Sequence, residues 1–187
     1  MMKEAILEPF LRNLRIKRVL PVLKQFPECN LLDVGCGWEA RLLRQVEPYI
    51  TRGTGIDFKA PELETRKLKT ISAVFVDTLP FPDHSFDVVT LMAVLEHLSN
   101  PDAILSEIHR VLKHGGVLVG TVPSKASKPV LEFLSYKLNI VNPDEIRDHK
   151  QYFNKKSLQT IFMNAGFTQI KHRYFQFGMN NFFIASA

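Results

Sequence analysis

Short apolar runs recur along the middle of the chain and alternate with stretches of helical periodicity. Such runs are typical of strands buried on both faces, where hydrophobic residues follow one another instead of alternating with polar ones. The regular alternation of strand and helix predicts a parallel sheet that is covered by helices on both faces. The five predicted strands are Asn30–Gly35, Gly53–Asp57, Ala73–Asp77, Phe86–Met92 and Val117–Val122.

Helical periodicity and turn residues predict the remaining elements. Residues 3–26 have apolar positions at helical spacing that Pro9 and Pro21 interrupt, which predicts one broken helix or two short ones. Later helices are predicted over Glu39–Val46, Asp102–Leu112 and Asn154–Asn164. Residues 124–152 predict a helix and a polar loop, and Phe167–Ala185 predicts two strands that turn near Gly178.

Together these elements predict a three-layer α/β/α sandwich with a Rossmann-like, seven-stranded, mostly parallel sheet and a C-terminal antiparallel hairpin. We expect an N-terminal helical segment over residues 1–28 and one domain over residues 29–187. Only about twenty positions separate Asp57 from Asp77, so the helix between the second and third strands is expected to be short or missing.

Composition narrows the class of protein. The chain has 187 residues, of which 45% are hydrophobic and 23% charged, and this balance excludes disordered, collagen-like and coiled-coil chains. No run approaches the ~18 apolar residues of a transmembrane segment, and charges are scattered through the N-terminus, so a cytoplasmic protein is expected.

Cys29 and Cys36 are too far apart on an extended strand for a disulfide and lack metal-ligand spacing. We therefore expect free thiols and no metal.

The net charge of +5 is unevenly distributed. Residues 1–28 carry +3, residues 29–147 carry −2 and residues 148–187 carry +4. The basic excess at the two ends favours solvated surfaces, with an anionic substrate or partner as the alternative.

Glycines and acidic residues stand where the predicted strands end. Asp33, Gly35 and Gly37 lie at the end of the first strand, Asp57 at the end of the second and Asp77 at the end of the third. Ligands of open parallel sheets bind beyond the carboxyl ends of the strands. Glycines let a ligand approach the backbone. A carboxylate after the second strand can accept hydrogen bonds from both hydroxyls of a ribose. A carboxylate after the third strand can accept a hydrogen bond from the amine of a base. The pattern predicts an adenosine with a small charged tail, and the lack of a phosphate-binding Gly-x-x-x-x-Gly-Lys-Ser/Thr motif argues against a triphosphate.

Several segments, in their order along the chain, resemble the class I S-adenosylmethionine-dependent methyltransferases with a type 11 or type 23-like domain. The resemblance covers about residues 29–185. The segments are Leu32–Gly37, Gly55–Asp57, Asp77–Asp87, Ala93–Leu98, Asn100–Ala103, Arg110–Gly116, and His149–Phe153 with Ala165–Phe167.

The resemblance implies S-adenosylmethionine as the cofactor and a binding site made by the strand ends. The residues implied for the methionine part are Asp33, Gly35, Cys36 and Gly37, those for the ribose and adenine are Asp57, Phe58, Asp77, Thr78 and Leu79, and those lining the floor near the sulfonium are Met92 and Ala93. Asp33 would hold the ammonium group directly or through water. Glu39 stands where the family often has a third glycine, and its carboxylate could repel the carboxylate of the cofactor.

The sequence assigns no catalytic residue, but it offers three candidates. His149 and Tyr152 lie in the closing segment that the resemblance places over the active site. His97 follows Glu96 after the fourth strand, and a structural role is favoured for it.

Two other classes of function fit part of the pattern. Gly35–Ala40 also matches the Gly-x-Gly-x-x-Gly/Ala turn of an NAD(P)-binding oxidoreductase, with Asp57 as the ribose carboxylate. Asp33 argues against that function, because its charge would repel a pyrophosphate. A catalytically silent methyltransferase fold that serves as a binding partner is favoured slightly by Glu39 and by the short link between the second and third strands.

The expected acceptor is a small molecule of sugar or lipid type. The chain lacks the Asn/Asp-Pro-Pro-Tyr/Phe motif after the fourth strand and a cysteine placed to attack a pyrimidine, and both absences argue against nucleic acid. Acceptor recognition must then fall to residues 1–28, to residues 124–152 or to a partner chain, and the oligomeric state stays open.

Overall fold

The computed structural model describes residues 8–74, 77–130 and 150–187. The described helices are α1 (Glu8–Leu23), α2 (Arg41–Val46), α3 (Pro101–Val111) and α4 (Lys155–Asn164), with short 3-10 turns at Glu47–Tyr49 and Lys125–Ser127. The strands are β1 (Asn30–Val34), β2 (Arg52–Asp57), β3 (Leu68–Ser72), β4 (Phe86–Met92), β5 (Leu112–Pro123), β6 (Gln169–Phe175) and β7 (Asn180–Ser186).

The seven strands form one sheet in the order β3-β2-β1-β4-β5-β7-β6. Strands β1 to β5 pair in parallel, and β7 pairs antiparallel with both β5 and β6. The strand order reverses at β1, which lies between β2 and β4, and this is the position where such sheets bind ligands. The predicted mostly parallel sheet with a C-terminal hairpin is confirmed.

Helices cover both faces of the sheet, which gives the predicted three layers. Leu32 of β1 belongs to a buried cluster with residues of α3 and α4, among them Phe162. Leu31 belongs to a second cluster with Leu23 of α1 and Leu43 of α2. Successive residues of a strand point to opposite faces, so β1 contributes to both layers of the core.

Local signals explain why several predicted boundaries agree with the structure. The side chain of Asn100 accepts the N–H of Ala103 at the start of α3, and Pro101 occupies the first turn. Asn154 and Ser157 form a reciprocal capping box at the start of α4. Both devices bind backbone groups that the first turn of a helix leaves unpaired.

The predicted third strand is wrong. The strand is β3, Leu68–Ser72, and not Ala73–Asp77. In β3, Leu68 is buried and the other residues are exposed or half-buried, because β3 is at the end of the sheet. Val74, inside the predicted strand, is 79% exposed. An edge strand does not need the continuous apolar run on which the prediction depended.

The connection from β2 to β3 spans residues 58–67 and contains no helix, as expected from its length. Part of it returns antiparallel to the outer edge of β3, where Glu64 pairs with Lys69. The N–H of Thr70 donates to the carbonyl of Leu63, and the N–H of Thr65 to that of Leu68. A short extended segment therefore covers the edge of the sheet.

Two other elements differ from the prediction, and a third prediction lies partly outside the described residues. Helix α1 is continuous over Glu8–Leu23. Pro9 lies in its first turn, where no intrahelical N–H is needed, and Pro21 costs one helical hydrogen bond only two residues before the helix ends. Strand β5 begins at Leu112, ahead of the glycine pair, with an irregularity opposite Phe86 and Val88. Residues 125–130 are helical, and residues 131–149 of the predicted helix and loop lie outside the described residues.

Among the described helices, none is both long enough and apolar enough to cross a bilayer. Cys29 and Cys36 are buried free cysteines, as expected.

Candidate functional site

The turn that follows β1 is tied to the end of β2 by its backbone. The N–H groups of Gly35 and Cys36 donate to the carbonyl of Ile56 at 2.8 and 3.3 Å, and the N–H of Gly37 donates to Oδ2 of Asp57 at 3.0 Å. Gly35 and Gly37 have φ values of +76° and +70°, which favour glycine. The structure thus brings together the glycine turn and the acidic strand end.

The two glycines differ in what surrounds them. A Cβ on Gly35 would lie 2.3 Å from Cγ2 of Val94, so the turn packs directly on the segment after β4. A Cβ on Gly37 would meet no atom within 4 Å. Gly37 therefore opens onto free space at the carboxyl edge of the sheet, where a ligand could approach the backbone.

Cys36 points its side chain away from that space. Its sulfur and Cβ lie beside Gly55 of β2, in the buried cluster shared with α1 and α2. Burial, with the charges of Asp33 and Asp57, raises the pKa of the Cys36 thiol to about 12. The thiol is protonated at neutral pH, and any contact of Cys36 with a ligand would be made by its backbone.

Asp33 lies beneath the turn and is almost completely buried. Its Oδ1 accepts a hydrogen bond from Oγ1 of Thr90 on β4 at 2.7 Å. Burial raises the pKa of the Asp33 carboxyl to about 7; the bond from Thr90 opposes this rise and the charge of Asp57 adds to it. A cation bound nearby would favour the ionised form of this carboxyl.

Asp57 ends β2 at the open side of the turn, and Phe58 follows it. Besides holding Gly37, Asp57 accepts the N–H of Lys59 on Oδ1 at 2.8 Å. Each carboxylate oxygen has a second acceptor site, so the residue can still bind hydroxyl groups. The ring of Phe58 is 61% exposed, with Nζ of Lys59 4.8 Å from its centroid. It offers a free aromatic surface next to the carboxylate.

Asp77 does not end a strand, because β3 stops five residues earlier, at Ser72. Its Oδ1 accepts from the Asn100 side-chain amide at 2.9 Å, which ties it to the start of α3. Thr78 is exposed, whereas Leu79 is buried and donates its N–H to Oε2 of Glu107 at 2.9 Å. The residues predicted at the adenine therefore lie on a loop anchored to α3.

Met92 and Ala93 lie where β4 meets β5. Ala93 has a φ of +57° and donates its N–H to the carbonyl of Thr121 at 2.9 Å. The sulfur of Met92 lies 3.8 Å from Oγ1 of the same threonine. These contacts hold the segment after β4 against the end of β5.

Glu39 has an ionic partner in the structure. Its carboxylate forms a salt bridge with Arg41, and its carbonyl accepts Nε of Arg44 at 2.9 Å. The arginine offsets the charge that could oppose the carboxylate of a cofactor.

The structure describes two of the three catalytic candidates. His97 is half-buried and donates its backbone N–H to the carbonyl of Val94 at 2.9 Å. Tyr152 is half-buried, with Nζ of Lys128 5.9 Å from its ring centroid. His149 lies outside the described residues.

Sequence reasoning missed Glu96, which is only 1% exposed at the carboxyl edge. Burial raises the pKa of its carboxyl to about 8, and a hydrogen bond from its own backbone and the charge of Arg15 on α1 oppose the rise. Within the described part of the chain, Oε2 of Glu96 has no hydrogen-bonding partner. Its carbonyl accepts the N–H groups of Lys150 and Gln151 at 2.9 and 3.4 Å. The signal available in the sequence was an acidic residue just after the most apolar strand.

Replacing Glu96 with glutamine should stabilise the protein at alkaline pH and have little effect at acidic pH. In the folded protein the carboxyl keeps its proton up to about pH 8, whereas in the unfolded chain it loses it near the ordinary value of 4.5. The contribution of Glu96 to the free energy of unfolding therefore declines as pH rises through that interval, and the loss reaches roughly a few kcal/mol at about pH 8. Melting temperatures of both proteins at about pH 4 and about pH 9 test this.

Glu107→Gln is the matched control, because the pKa of Glu107 is shifted in the opposite direction. The hydrogen bond from Arg110 lowers the pKa of this carboxyl, so its loss should destabilise the protein at neutral and alkaline pH. A pH profile for Glu96→Gln parallel to that of the unmodified protein would contradict the assigned burial of Glu96.

No group of three or more histidine, cysteine or acidic residues in the described ranges is arranged to hold a metal ion. The fold and the strand order define a Rossmann-like domain. The comparisons with known proteins agree with that class.

A family model described as "Methyltransferase domain" matches residues 32–120. Among curated relatives, the demethylmenaquinone methyltransferase of Staphylococcus saprophyticus is 31% identical, over 87% of this chain and 80% of the relative. The demethylmenaquinone methyltransferase of Staphylococcus epidermidis is 29% identical, over 87% of this chain and 78% of the relative.

Solved structures share the fold at low identity. A putative methyltransferase in complex with the Haloferax volcanii Trm112 methyltransferase activator gives a TM-score of 0.73 at 19% identity, over 94% of this chain and 90% of that one. A SAM-dependent methyltransferase from Archaeoglobus fulgidus gives 0.69 at 18% identity, over 95% and 93%. The chain belongs to the class I S-adenosylmethionine-dependent methyltransferases.

Proposed function

We propose that the chain binds S-adenosylmethionine at the carboxyl edge of β1 and β2 and transfers its methyl group to a small lipid-type acceptor. The observation that carries the proposal is the coupling of an open glycine turn to an acidic strand end. Gly37 leaves free space beside its backbone, and the same residue is held by Asp57 at 3.0 Å. The space and the carboxylate are therefore parts of one site.

The residues around this site fit each part of the cofactor. Asp57 would bind the ribose hydroxyls, the exposed ring of Phe58 would lie against the adenine, and Asp77 would accept from the adenine amine. The backbone of residues 35–37 would face the methionine part. Met92 and Ala93 would line the floor below the sulfonium.

The buried carboxyl of Asp33 supports S-adenosylmethionine over a dinucleotide. The buried carboxyl needs a nearby cation to ionise readily, since burial raises its pKa to about 7. The ammonium of the cofactor would supply that cation, whereas a pyrophosphate would add a second anion. The salt bridge from Arg41 to Glu39 removes one reason to propose a silent fold.

When bound, the cofactor supplies a methyl group on a positively charged sulfur. The protein would align the acceptor with that methyl group and exclude water, and alignment alone can supply about 7–11 kcal/mol in ideal cases. A base is needed only if the acceptor carries a proton at the reacting atom. His97, His149 and Tyr152 are the proposed candidates for that task.

We infer a quinol-like, lipid-soluble acceptor from the relatives, which are named demethylmenaquinone methyltransferases. The segment after β4, residues 150–153 and helix α1 meet around Glu96, so acceptor recognition is proposed there. The residues 1–28 would then act as a helical addition to the methyltransferase domain at 29–187. Free Cys29 and Cys36 support the proposed cytoplasmic location.

Calorimetric titration with S-adenosylmethionine, S-adenosylhomocysteine and NAD⁺ tests the proposed cofactor. We expect heat from the first two ligands and none from NAD⁺; binding of NAD⁺ alone would contradict the proposal. Transfer of a labelled methyl group to a short-chain demethylmenaquinol then tests catalysis. Cofactor binding without transfer to any quinol would favour a silent binding partner.

A further inference from the structure

The turn between β6 and β7 projects a phenylalanine into solvent. Three successive residues, Gln176, Phe177 and Gly178, have positive φ values of 52°, 56° and 85°. Such backbone is uncommon for residues other than glycine. The side chain of Phe177 is fully exposed. We call residues 176–179 the hairpin tip.

The hairpin tip is fixed at the edge of the sheet that carries the cofactor site. Oγ of Ser124, just after β5, donates to the carbonyl of Gly178 at 2.6 Å, and its N–H donates to that of Met179 at 2.9 Å. Pro123 at the end of β5 pairs with Asn180 at the start of β7. The tip therefore stands two strand spacings, about 10 Å, from the end of β4.

The described strands that adjoin the hairpin tip, β5, β6 and β7, together carry basic and no acidic residues. Residues 150–187 contain five lysines and arginines and no acidic residue, and residues 113–130 contain no acidic residue either. Lys125 follows Ser124, the residue that bonds the tip, and Arg173 lies on β6 shortly before the tip; both are exposed. The guanidinium carbon of Arg18 on α1 lies 4.1 Å from the ring centroid of Phe175, at the end of β6.

We propose that the hairpin tip docks on an anionic lipid surface, with Phe177 inserted among the headgroups and Arg18, Lys125 and Arg173 facing their phosphates. An apolar side chain within a basic surround is the arrangement that binds anionic membranes at their surface. The proposal deepens the proposed function and rests on it for the lipid acceptor, which would enter the site from the surface on which the tip docks.

A single-stranded nucleic acid would be the other polyanion for a basic surface. It is bound by flat aromatic platforms along a groove that follows its backbone. Phe177 instead projects from a turn. Of its aromatic neighbours on β6, Phe175 is buried under Arg18, and Tyr174 is 50% exposed but is engaged by the N–H of Lys155 and, edge-on, by the ring of His172. The geometry favours insertion over stacking.

Sedimentation with vesicles tests the proposal on the full chain. We expect binding to vesicles that contain roughly a third phosphatidylglycerol, weak binding to pure phosphatidylcholine, and loss of binding at high salt. Phe177→Ser should lower the affinity about tenfold. Lys125→Gln and Arg173→Gln should each lower it about fivefold.

Met163→Ser is the matched control. Met163 is also largely exposed, but it lies near the end of α4, at the opposite edge of the sheet. Its replacement should leave vesicle affinity unchanged. Equal vesicle affinities of Phe177→Ser and the unmodified protein would overturn the proposal. Binding to neutral vesicles as strong as binding to anionic ones would also overturn it, as would binding of a single-stranded oligonucleotide without binding of vesicles.

Calorimetry with S-adenosylhomocysteine on the same preparations separates this proposal from the proposed function. Phe177→Ser should keep the cofactor affinity and the melting temperature of the unmodified protein while losing vesicle binding. Vesicle binding that depends on Phe177 in a protein without cofactor affinity would support the docking surface and contradict the proposed function. Cofactor affinity without vesicle binding would overturn the docking surface alone.

Discussion

Replacing Asp57 with alanine should weaken the binding of S-adenosylmethionine roughly tenfold to a hundredfold. The carboxylate has two tasks, since its oxygens hold the N–H groups of Gly37 and Lys59 and would also accept the ribose hydroxyls. The substitution leaves the partly buried N–H of Gly37 and the ribose hydroxyls without this acceptor, at a cost of about 1–3 kcal/mol. Isothermal titration with S-adenosylmethionine and S-adenosylhomocysteine measures the loss directly.

Two further variants make this result specific. Asp57→Asn keeps the shape of the side chain but loses one acceptor oxygen. Its affinity for the cofactor should therefore lie between those of the unmodified protein and of Asp57→Ala. Glu28→Ala removes an exposed acidic residue just before β1, at the opposite edge of the sheet, and should leave affinity unchanged. An unaltered affinity of a well-folded Asp57→Ala protein would remove the basis for the proposed cofactor site.

Replacing Gly35 with alanine should destabilise the fold by roughly 2–5 kcal/mol. The new Cβ would stand 2.3 Å from Cγ2 of Val94, and the residue has a φ of +76°. Steric overlap and left-handed backbone therefore act together. For a chain of this length the melting temperature should fall by roughly 5–15 °C, which thermal denaturation followed by circular dichroism measures.

Gly37→Ala is the matched variant, because Gly37 has a similar φ of +70° but no atom within 4 Å of the added Cβ. It should cost only about 1–2 kcal/mol of stability while it obstructs the proposed cofactor site. The double variant Gly35→Ala with Val94→Ala should recover part of the stability lost by Gly35→Ala. Similar losses for both glycine variants would show that backbone strain alone decides the effect.

The sequence was sufficient for elements with strong local signals. Strand β4 was predicted with its observed bounds because its apolar run is long and buried. Helix α4 begins one residue after the predicted start, since its capping residue, Asn154, is local information. Strand β3 was misplaced because an edge strand is stabilised by pairing with β2 and not by its own hydrophobicity. Position in the sheet is a property of the whole fold.

The residues of the candidate site likewise fall into those that the sequence predicts and those that it does not. Gly35, Gly37 and Asp57 were predicted together, because parallel strands place their carboxyl ends at one edge. The contact of Asp33 with Thr90 joins residues that are 57 positions apart. The burial of Glu96 likewise depends on segments distant along the chain. Such contacts leave no local pattern from which they could be predicted.

The segment that connects β2 and β3 without a helix also limits how the edge of the sheet can pair with another chain. An open strand edge offers unpaired N–H and C=O groups to other chains and promotes aggregation. The pairing of Glu64 with Lys69 occupies part of that edge at β3. At the far end of the sheet, β6 presents the exposed charges of Lys171 and Arg173 instead. Backbone pairing thus covers part of one border of the sheet, and positive charges on the other border oppose pairing with the sheet of a second molecule.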